Sequence, residues 1–492
     1  MRIKLLKIKE YKNLKELKIK FISENIDVII GNNGSGKTNL YEFILNVFQS
    51  LTSKNRLFDY EFILDYEIET LGQNKFVSLM GDGTEITAKV NGEAIYNPVF
   101  PKEFIPKNII IYYSGTSKKL KSLYSSSFLH IKDSYFPLIF ISLLTSSLER
   151  NRVFLKEYFN INTTRVSNIK LKIKNFYQLE EYFSKDDIEN RKDELKYIRD
   201  IEKSIIDDPI ESSSFTRFEH YKEEIKNVFS INKFTDLKLK RIDFLQSLIR
   251  YSKHLQFTED NNYLEVELES NRNESDGAVE YDYEFIKRLI EVENVNLIKV
   301  NDIEFYKNNI ADKLSYKDLS EGETQFILVQ GIIELFNDNE NLFLLDEPDT
   351  YLHPKWQRKI IGNLRESNSE STHVLFTTHS PQTLSLVTSK NIYIIKKDTN
   401  GLTEVYNPSK SIFGRDINSI ISEAMDIPDR PKEIHDLFDK YFEYIAKNEF
   451  DNVEKVKQEI LDIVSGEESY FEDEVLFLKG EAIISRKKML QK

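Results

Sequence analysis

The stretch VIIGNNGSGKTNLYEF, residues 28–43, places three glycines, a lysine and a threonine directly after a run of β-branched residues. The spacing G-x-x-x-x-G-K-T is typical of a turn whose backbone N–H groups hold phosphate oxygens, with the positive end of a helix behind them. Lys37 would bind the β- and γ-phosphates, and Thr38 would ligate Mg²⁺. The sequence therefore predicts ATP and Mg²⁺ as cofactors. The residues expected to bind the nucleotide are Asn33, Gly34, Ser35, Gly36, Lys37, Thr38 and Asn39.

Two carboxylates follow the apolar run 343–345 within the segment NLFLLDEPDTYLHP. An acidic residue at the carboxyl end of a buried strand lies where open α/β sheets bind their ligands. We expect Asp346 to bind the Mg²⁺ through water and Glu347 to polarise the water that attacks the γ-phosphate. Without the glycine-rich turn upstream, the same pair would more often cap a helix.

A histidine follows a third apolar run, in VLFTTHSPQTL, residues 374–384. A lone histidine is more often structural than functional. Here threonine and serine neighbours place His379 in the same predicted crevice as the two carboxylates. We therefore expect His379 to donate to the γ-phosphate and to act in catalysis beside Glu347.

The segment LSEGETQF, residues 319–326, stands at the start of a predicted helix. Ser320 and Gly322 would leave free N–H groups and a helix N-terminus facing outward, an arrangement that binds anions. As an isolated string, the segment would predict only a helix N-cap with an acidic first turn. Its position ahead of the carboxylate strand favours the anion site.

The elements that must position these residues can be predicted from the spacing of apolar side chains. Residues 2–21 alternate apolar and charged side chains, which predicts two strands around a turn near Lys12 and Asn13. Residues 58–113 continue as strand-like pieces that end in NIIIYYSG, so an antiparallel lobe is expected after the glycine-rich turn. Residues 300–400 alternate short apolar strands with helices, which is the pattern of a parallel sheet.

The remaining residues are predicted to be largely helical. The stretch between the two halves includes strand-like segments at 168–176 and 263–270, and strand signals stop near Ile395. After residue 411 the apolar residues from Ile434 to Ile445 and from Val453 to Val464 recur at helical spacing. The fold class is therefore α/β. The expected domains are 1–115 with the phosphate turn, a mostly helical insertion at 116–299, a second half at 300–410 and a helical region at 411–492.

Composition excludes several other classes. The chain has 492 residues and no cysteine, which removes disulfides, thiolate zinc sites and a cysteine nucleophile. Acidic residues outnumber basic ones, 81 to 68, so a general cationic surface for nucleic acid is not encoded, although a local groove remains open. No apolar run is long enough to span a membrane, so we expect a cytoplasmic protein without a membrane partner.

The order of these four motifs resembles the ABC-type ATPase heads of the SMC, RecF and OLD groups. That resemblance implies a head with a mixed sheet that dimerises head to head, in which Ser320, Gly322 and Glu323 of one protomer complete the ATP site of the other. The usual LSGGQ is LSEGE here, with Glu321 in place of the first glycine. The glutamine that normally links the nucleotide to the helical lobe is not identified, since neither Gln73 nor Gln256 fits well.

Three further segments resemble bacterial antiphage-defence ATPases of the PtuA type, found in Septu systems and in some retrons. They are YYSGTSKKL at 112–120, DTYLHPKWQ at 349–357 and FGRDINSIISEAMDIPDRP at 413–431. The resemblance implies an ATPase that controls a partner HNH endonuclease, PtuB-like. If the system is retron-encoded, a reverse transcriptase and msDNA would also be partners.

The C-terminal region separates this interpretation from its neighbours. OLD-type nucleases need a glutamate and a D-x-D pair for two metals, and no such arrangement follows His379. We therefore expect an ATPase that is not itself a nuclease. The alternative is a RecF-like or OLD-like ATPase in DNA repair or recombination, which would need a cationic path such as Lys170, Lys172 and Lys174. A transporter ATPase has no need of so long an insertion.

Overall fold

A computed structural model describes the chain as two compact units, residues 1–407 and residues 408–492. The predicted division into four parts stays a prediction, and most of the predicted insertion lies outside the described residues. The structure describes residues 1–22, 25–52, 57–96, 100–114, 128–146, 148–165, 167–174, 252–257, 263–269, 282–294, 296, 298–336, 340–367, 372–425, 431–464 and 471–490.

The described strands belong to the first unit. They are β1 (Arg2–Tyr11), β2 (Leu14–Lys20), β3 (Ile26–Ile30), β4 (Glu61–Thr70), β5 (Gln73–Asp82), β6 (Ile86–Val90), β7 (Glu93–Ala94), β8 (Asn108–Tyr113), β9 (Phe128–Ile131), β10 (Asn168–Lys174), β11 (Ser252–Phe257), β12 (Tyr263–Glu269), β13 (Ile298–Phe305), β14 (Leu314–Ser315), β15 (Asn341–Asp346), β16 (His373–Thr377), β17 (Ile392–Lys397) and β18 (Thr403–Tyr406).

The described helices occur in both units. Those of the first unit are α1 (Lys37–Leu51), α2 (Phe136–Thr145), α3 (Glu149–Phe159), α4 (Asp282–Asn294), α5 (Glu321–Phe336), α6 (Pro354–Ser367) and α7 (Pro381–Leu384). Those of the second unit are α8 (Ile417–Ala424), α9 (Lys432–Lys447), α10 (Phe450–Val464) and α11 (Phe471–Leu490). Within the described residues, no helix is both long and apolar enough to cross a membrane.

A seven-stranded mixed sheet, in the order β18-β17-β3-β16-β15-β8-β9, forms the centre of the first unit. Its strands are parallel except for β18, which pairs antiparallel with β17. Strands β3, β15 and β16 are buried along their whole length, as expected for strands covered on both faces. Because they are parallel neighbours, their carboxyl ends meet at one edge of the sheet, where the residues predicted to bind ATP follow.

Two of the predicted strand assignments were wrong in this sheet. The segment NIIIYYSG was assigned to the antiparallel lobe, but β8 pairs in parallel with β15. Its continuous apolar run is typical of a strand buried on both faces rather than of a hairpin strand. Strand signals were also expected to stop near Ile395, whereas β17 continues to Lys397 and β18 follows it.

The antiparallel lobe itself is confirmed as a six-stranded sheet in the order β2-β1-β4-β5-β6-β7. Its first turn lies at the predicted position, and Lys12 adopts a positive φ of 53° there. One hydrophobic cluster joins the inner face of this sheet, the buried side of α1 and the central sheet. The glycine-rich turn that leads into α1 is thereby held between two sheets.

A third sheet has the order β11-β12-β10-β13-β14 and is antiparallel. It contains both strand-like segments predicted inside the insertion, as β10 and β12. With these sheets and the helices of the second unit, the predicted α/β class with a mixed sheet, an antiparallel lobe and a helical C-terminal region is confirmed.

The second unit contains the predicted amphipathic helices. Ile434, Leu437, Phe438, Tyr441 and Ile445 of α9 are buried, together with Val453, Val456 and Ile460 of α10. Ile463 was assigned to the same stripe but is 58% exposed, so the apolar face of α10 ends one turn earlier than the spacing indicated.

Candidate nucleotide-binding and hydrolysis site

The glycine-rich turn connects β3 to α1 and leads directly into the helix N-terminus. Gly36 is the N-cap of α1 with a φ of 111°, a conformation that glycine adopts without strain. A Cβ at this position would also collide with the side chain of Leu14. The Ser35 side chain is buried, and its hydroxyl is among the described buried polar atoms that have no hydrogen-bond partner. A buried, unpaired hydroxyl in such a turn fits a polar ligand.

Two asparagines hold this turn from the side. The Asn13 side-chain amide donates to the Gly34 carbonyl at 2.6 Å, and its oxygen accepts from Asn39 at 2.7 Å. Asn33 is exposed. Asn13 was not among the predicted site residues, because it lies in the β1–β2 turn and no sequence signal links that turn to the phosphate loop.

The hydroxyl of Thr38 joins the first motif to the second. Thr38 Oγ1 donates to Asp346 Oδ2 at 2.6 Å, and the hydroxyl of Thr377 donates to the other oxygen of the same carboxylate. The parallel register sets this contact, since Asp346 lies beside Thr377 at the ends of β15 and β16. Burial raises the pKa of Asp346, and the two hydroxyl contacts oppose that rise. Thr38 and Asp346 have the same relative placement as the hydroxyl and the carboxylate that hold Mg²⁺ in other phosphate loops.

A lysine, a histidine and a glutamate form the centre of the site. Lys37 Nζ donates to the Gly31 carbonyl at 2.8 Å and lies 2.9 Å from His379 Nε2. His379 Nε2 is 3.2 Å from Glu347 Oε1. Burial lowers the pKa of Lys37, and the carboxylates of Glu347 and Asp346 oppose that effect. The three side chains predicted from separate motifs therefore lie together, with His379 Nε2 next to both of the others.

Glu347 sits in an uncommon backbone conformation, with a φ of 52°. Its N–H donates to the carbonyl and to the hydroxyl of Thr377, at 3.2 and 2.9 Å, which fixes the turn after β15. The hydrogen bond from His379 lowers the pKa of Glu347 despite partial burial. A left-handed glutamate is uncommon, and such conformations concentrate at functional sites.

Asp349 was not among the residues predicted from the sequence. It is 1% exposed and accepts hydrogen bonds from the hydroxyls of Thr378, at 2.6 Å, and Thr383. Burial raises its pKa, again opposed by those hydroxyls. Asp349 thus ties the loop after β15 to the loop that carries His379. The sequence did contain a signal for this contact, because Asp349 lies two residues after Glu347 in DEPD and threonines stand close to His379.

The Ser320 segment is arranged differently. Ser320 Oγ accepts from the Glu323 N–H at 3.2 Å, and the Glu323 carboxylate accepts from the Ser320 N–H at 2.9 Å, which forms a reciprocal cap at the start of α5. Lys307 binds the same carboxylate at 2.7 Å. Burial alone would raise the pKa of Glu323, but its contacts with Lys307 and Ser320 lower it.

Gly322 packs against the aromatic ring of Trp356 in its own chain. A Cβ on Gly322 would lie 2.7 Å from Cζ3 of Trp356 in α6. Among the described residues, the hydrogen bonds of Ser320 and Glu323 stay within this segment and Lys307. The structure therefore brings together Lys37, Thr38, Asp346, Glu347 and His379, and it does not join the Ser320 segment to them within one chain.

Comparison with known proteins gives these observations a family context. The chain is 24% identical over 93% of its length to "Retron Vc95 probable ATPase" of Vibrio cholerae serotype O1 biovar El Tor, and the match covers 86% of that protein. "Retron Ec83 probable ATPase" of Escherichia coli is 33% identical over 27% of this chain and 24% of its own length. "Septu protein PtuA" of Bacillus mycoides (strain KBAB4) is 24% identical over 36% of this chain and 26% of its own length. The resemblance to retron and Septu ATPases expected from the motifs is confirmed.

A solved SMC head domain from Thermotoga maritima is 14% identical, with a TM-score of 0.35, over 83% of this chain and 99% of that one. The family described as "AAA domain, putative AbiEii toxin, Type IV TA system" matches residues 28–385, a range that contains the phosphate turn, Ser320, both carboxylates and His379. Because this match covers more than half of the chain, the chain belongs to this family of AAA domains.

Proposed function

We propose that this protein is an ATP-binding and ATP-hydrolysing subunit of a bacterial antiphage defence system, in which it controls a separate nuclease. The observation that carries the ATPase part is the contact between Thr38 and Asp346, beside the cluster of Lys37, His379 and Glu347. These side chains come from three motifs, the first of which lies some 300 residues before the other two, and a shared chemistry would account for their meeting.

The residues present fit a nucleotide with its metal. The unpaired hydroxyl of Ser35 and the N-terminus of α1 supply donors for phosphate oxygens. Lys37 would exchange its contact with the Gly31 carbonyl for the β- and γ-phosphates, and Thr38 and Asp346 would hold Mg²⁺. Bound Mg²⁺ neutralises charge on the phosphate oxygens during hydrolysis.

Glu347 is the residue that would position the attacking water. Its lowered pKa keeps the carboxylate ionised at neutral pH, so that Oε1 can accept a hydrogen bond from that water. His379 Nε2 lies between Glu347 and Lys37, where it would donate to the γ-phosphate once Lys37 turns to the nucleotide. Glu347 and His379 are therefore the proposed catalytic pair.

A second protomer would complete the site. Ser320 is exposed at the start of α5, and its segment is held in shape by Glu323 and Lys307 without contacting the phosphate turn of its own chain. A preformed helix N-terminus of this kind suits an anion brought by another subunit. We propose that Ser320 and Gly322 meet ATP bound in the partner of a head-to-head dimer, with Glu323 holding the cap.

The defence role rests on the names of the relatives, two retron ATPases and a Septu protein PtuA. By that analogy, nucleic-acid cutting belongs to a partner, an HNH endonuclease of the PtuB kind, and a retron context would add a reverse transcriptase with its msDNA. ATP would then shift the protein between states that hold or release the nuclease.

The repair alternative has less support. It needs a cationic path along β10, but Lys170 binds Glu304 at 2.8 Å. In the strand register, Lys170 and Lys172 lie opposite Glu267 and Glu265 of β12. Cross-strand pairs of opposite charge stabilise a sheet, so a structural role accounts for these lysines.

The test of this proposal combines biochemistry with genetics. The chain and the product of its adjacent gene are co-expressed, and the complex is assayed for ATP turnover, for DNA cleavage and for protection of cells against phage. We expect the two products to co-purify and Glu347→Gln to abolish protection. DNA cleavage by the highly purified chain alone that persists in Glu347→Gln would contradict the regulatory role.

A further inference from the structure

Helix α11 has two faces with apolar side chains, and one of them packs against other described helices of the second unit. On the inner face, Phe477 lies 5.5 Å, between ring centroids, from both Phe438 and Tyr441 of α9. Gly480 allows this close approach, because a Cβ there would lie 2.6 Å from Cε1 of Tyr441. This face holds α11 against the other helices of the second unit.

The opposite face of α11 is exposed. Leu478 is 56% exposed and Met489 is 76% exposed, and Ala482 and Ser485 between them are also exposed. These four positions follow one another at steps of four, three and four residues. That is the spacing of the seam in a coiled coil, in which the first and fourth positions of a heptad face a partner helix. In the sequence, the same spacing continues upstream to Val475 and Phe471.

The residues that flank this seam have a charge pattern that fits a second copy of the same helix. In a parallel pair, Glu481 of one copy would lie beside Arg486 of the other, five residues further along, and the two-fold axis repeats the contact. Within its own chain, one oxygen of Glu481 already binds Lys457 at 2.7 Å, which fixes the direction of the carboxylate. In an antiparallel pair over the same seam, Leu478 would lie opposite Met489, and Lys479 would come close to Arg486 of the other copy, where like charges repel.

We propose that α11 pairs with α11 of a second copy of this chain, in parallel, through the seam of Leu478, Ala482, Ser485 and Met489. The pairing uses none of the residues of the ATP site and does not need nucleotide. Together with a head-to-head contact, this second two-fold interface would link dimers into larger assemblies, because each protomer would then have two different partners.

The first test uses the absence of cysteine from the natural chain. Ser485→Cys is introduced into the full-length protein that also carries Lys37→Ala, so that ATP-dependent head contacts do not contribute. After mild oxidation, we expect a covalent dimer on non-reducing gels, since Ser485 of both copies would face each other in the parallel seam. Glu459→Cys is the matched control, because Glu459 is also exposed but lies on α10, outside the seam. It should stay monomeric on the gel.

The second test measures association without a cross-link. Leu478→Glu places a charge in the seam and should weaken self-association about tenfold or more, as followed by sedimentation or mass photometry. Ile463→Glu is its control, since Ile463 is exposed to nearly the same extent, 58% against 56%, but lies on α10. It should leave the association unchanged.

Two results would overturn the proposal. Equal cross-linking of Ser485→Cys and Glu459→Cys, with identical association of Leu478→Glu and Ile463→Glu, would show that the seam does not join two copies. Cross-linking in a mixture of Leu478→Cys and Met489→Cys proteins, with neither variant cross-linking by itself, would show an antiparallel pair.

Discussion

The two parts of the proposed ATP site differ in how completely the chain builds them. At the carboxyl edge of the central sheet, Thr38 and Asp346 are in direct contact, and His379 joins Lys37 to Glu347. At the start of α5, Ser320 is exposed and bonded to Glu323, its own capping partner. The first part is assembled within one chain, whereas the described hydrogen bonds of the second part stay within its own segment and Lys307. The difference indicates which residues of the proposed site one protomer can supply alone.

The largest expected effect is at the lysine of the first part. Lys37→Ala removes the ammonium group that would meet the β- and γ-phosphates, so ATP affinity should fall by about 100-fold or more. This loss of ATP affinity is measured by equilibrium binding of a fluorescent ATP analogue. Lys9→Ala is the control, because Lys9 is an exposed lysine paired with Glu61 far from the turn in sequence. Undiminished ATP affinity in Lys37→Ala would show that the nucleotide does not use this turn.

The next effect separates the two parts. Ser320→Arg should leave ATP binding intact and lower turnover by about tenfold or more, because a bulky cation would block the approach of a second protomer to the nucleotide. Binding and turnover are measured in the same preparation. Mixing this variant with Lys37→Ala should restore part of the activity, since one composite site in the mixed dimer then has both parts intact. A monomeric protein with full activity would rule out the second part.

Asp349 tests how the first part is held together. Asp349→Ala leaves the buried hydroxyls of Thr378 and Thr383 without their acceptor, so the free energy of unfolding should fall by about 2–4 kcal/mol. Asp349→Asn keeps an oxygen in the same place and should lose less. Urea denaturation gives the comparison. If both variants had the same free energy of unfolding as the parental protein, other contacts would hold the two loops together.

The smallest effect is expected in the second part. Glu323→Ala removes the reciprocal cap on Ser320 and the ion pair with Lys307, and should cost about 0.5–2 kcal/mol. ATP affinity of the single protomer should not change. The same urea measurement, followed by a binding titration, checks both statements. A loss of ATP affinity would show that this segment already contacts nucleotide within one chain.

The sequence predicted the members of the first part because each follows a strand that is apolar along its length. The glycine-rich spacing predicts the turn before Lys37, Asp346 is the last residue of such a strand, and His379 lies two residues after another. Parallel register then brings them together, which the β-branched and apolar runs imply without any structure. The same reasoning also fits β8, whose continuous apolar run is typical of a strand buried on both faces, but the segment was assigned to the neighbouring lobe.

Contacts made by residues outside these motifs could not be predicted. Asn13 reaches the phosphate turn only because the β1–β2 hairpin folds over it, and hairpin geometry beyond the turn is not encoded in a local pattern. Gly322 is required by Trp356, a residue of the following helix, rather than by the loop itself. The positive φ of Glu347 depends on backbone bonds to Thr377 on the neighbouring strand.

The central claim is that the cluster around Glu347 hydrolyses ATP held by Lys37 and Thr38. The most direct measurement compares ATP binding and phosphate release by the parental protein and Glu347→Gln, which keeps the size of the side chain and removes its charge. We predict unchanged ATP affinity with turnover reduced by about 100-fold or more, and accumulation of an ATP-bound dimer. Phosphate release by Glu347→Gln at the parental rate would contradict the account, because another group would then position the water.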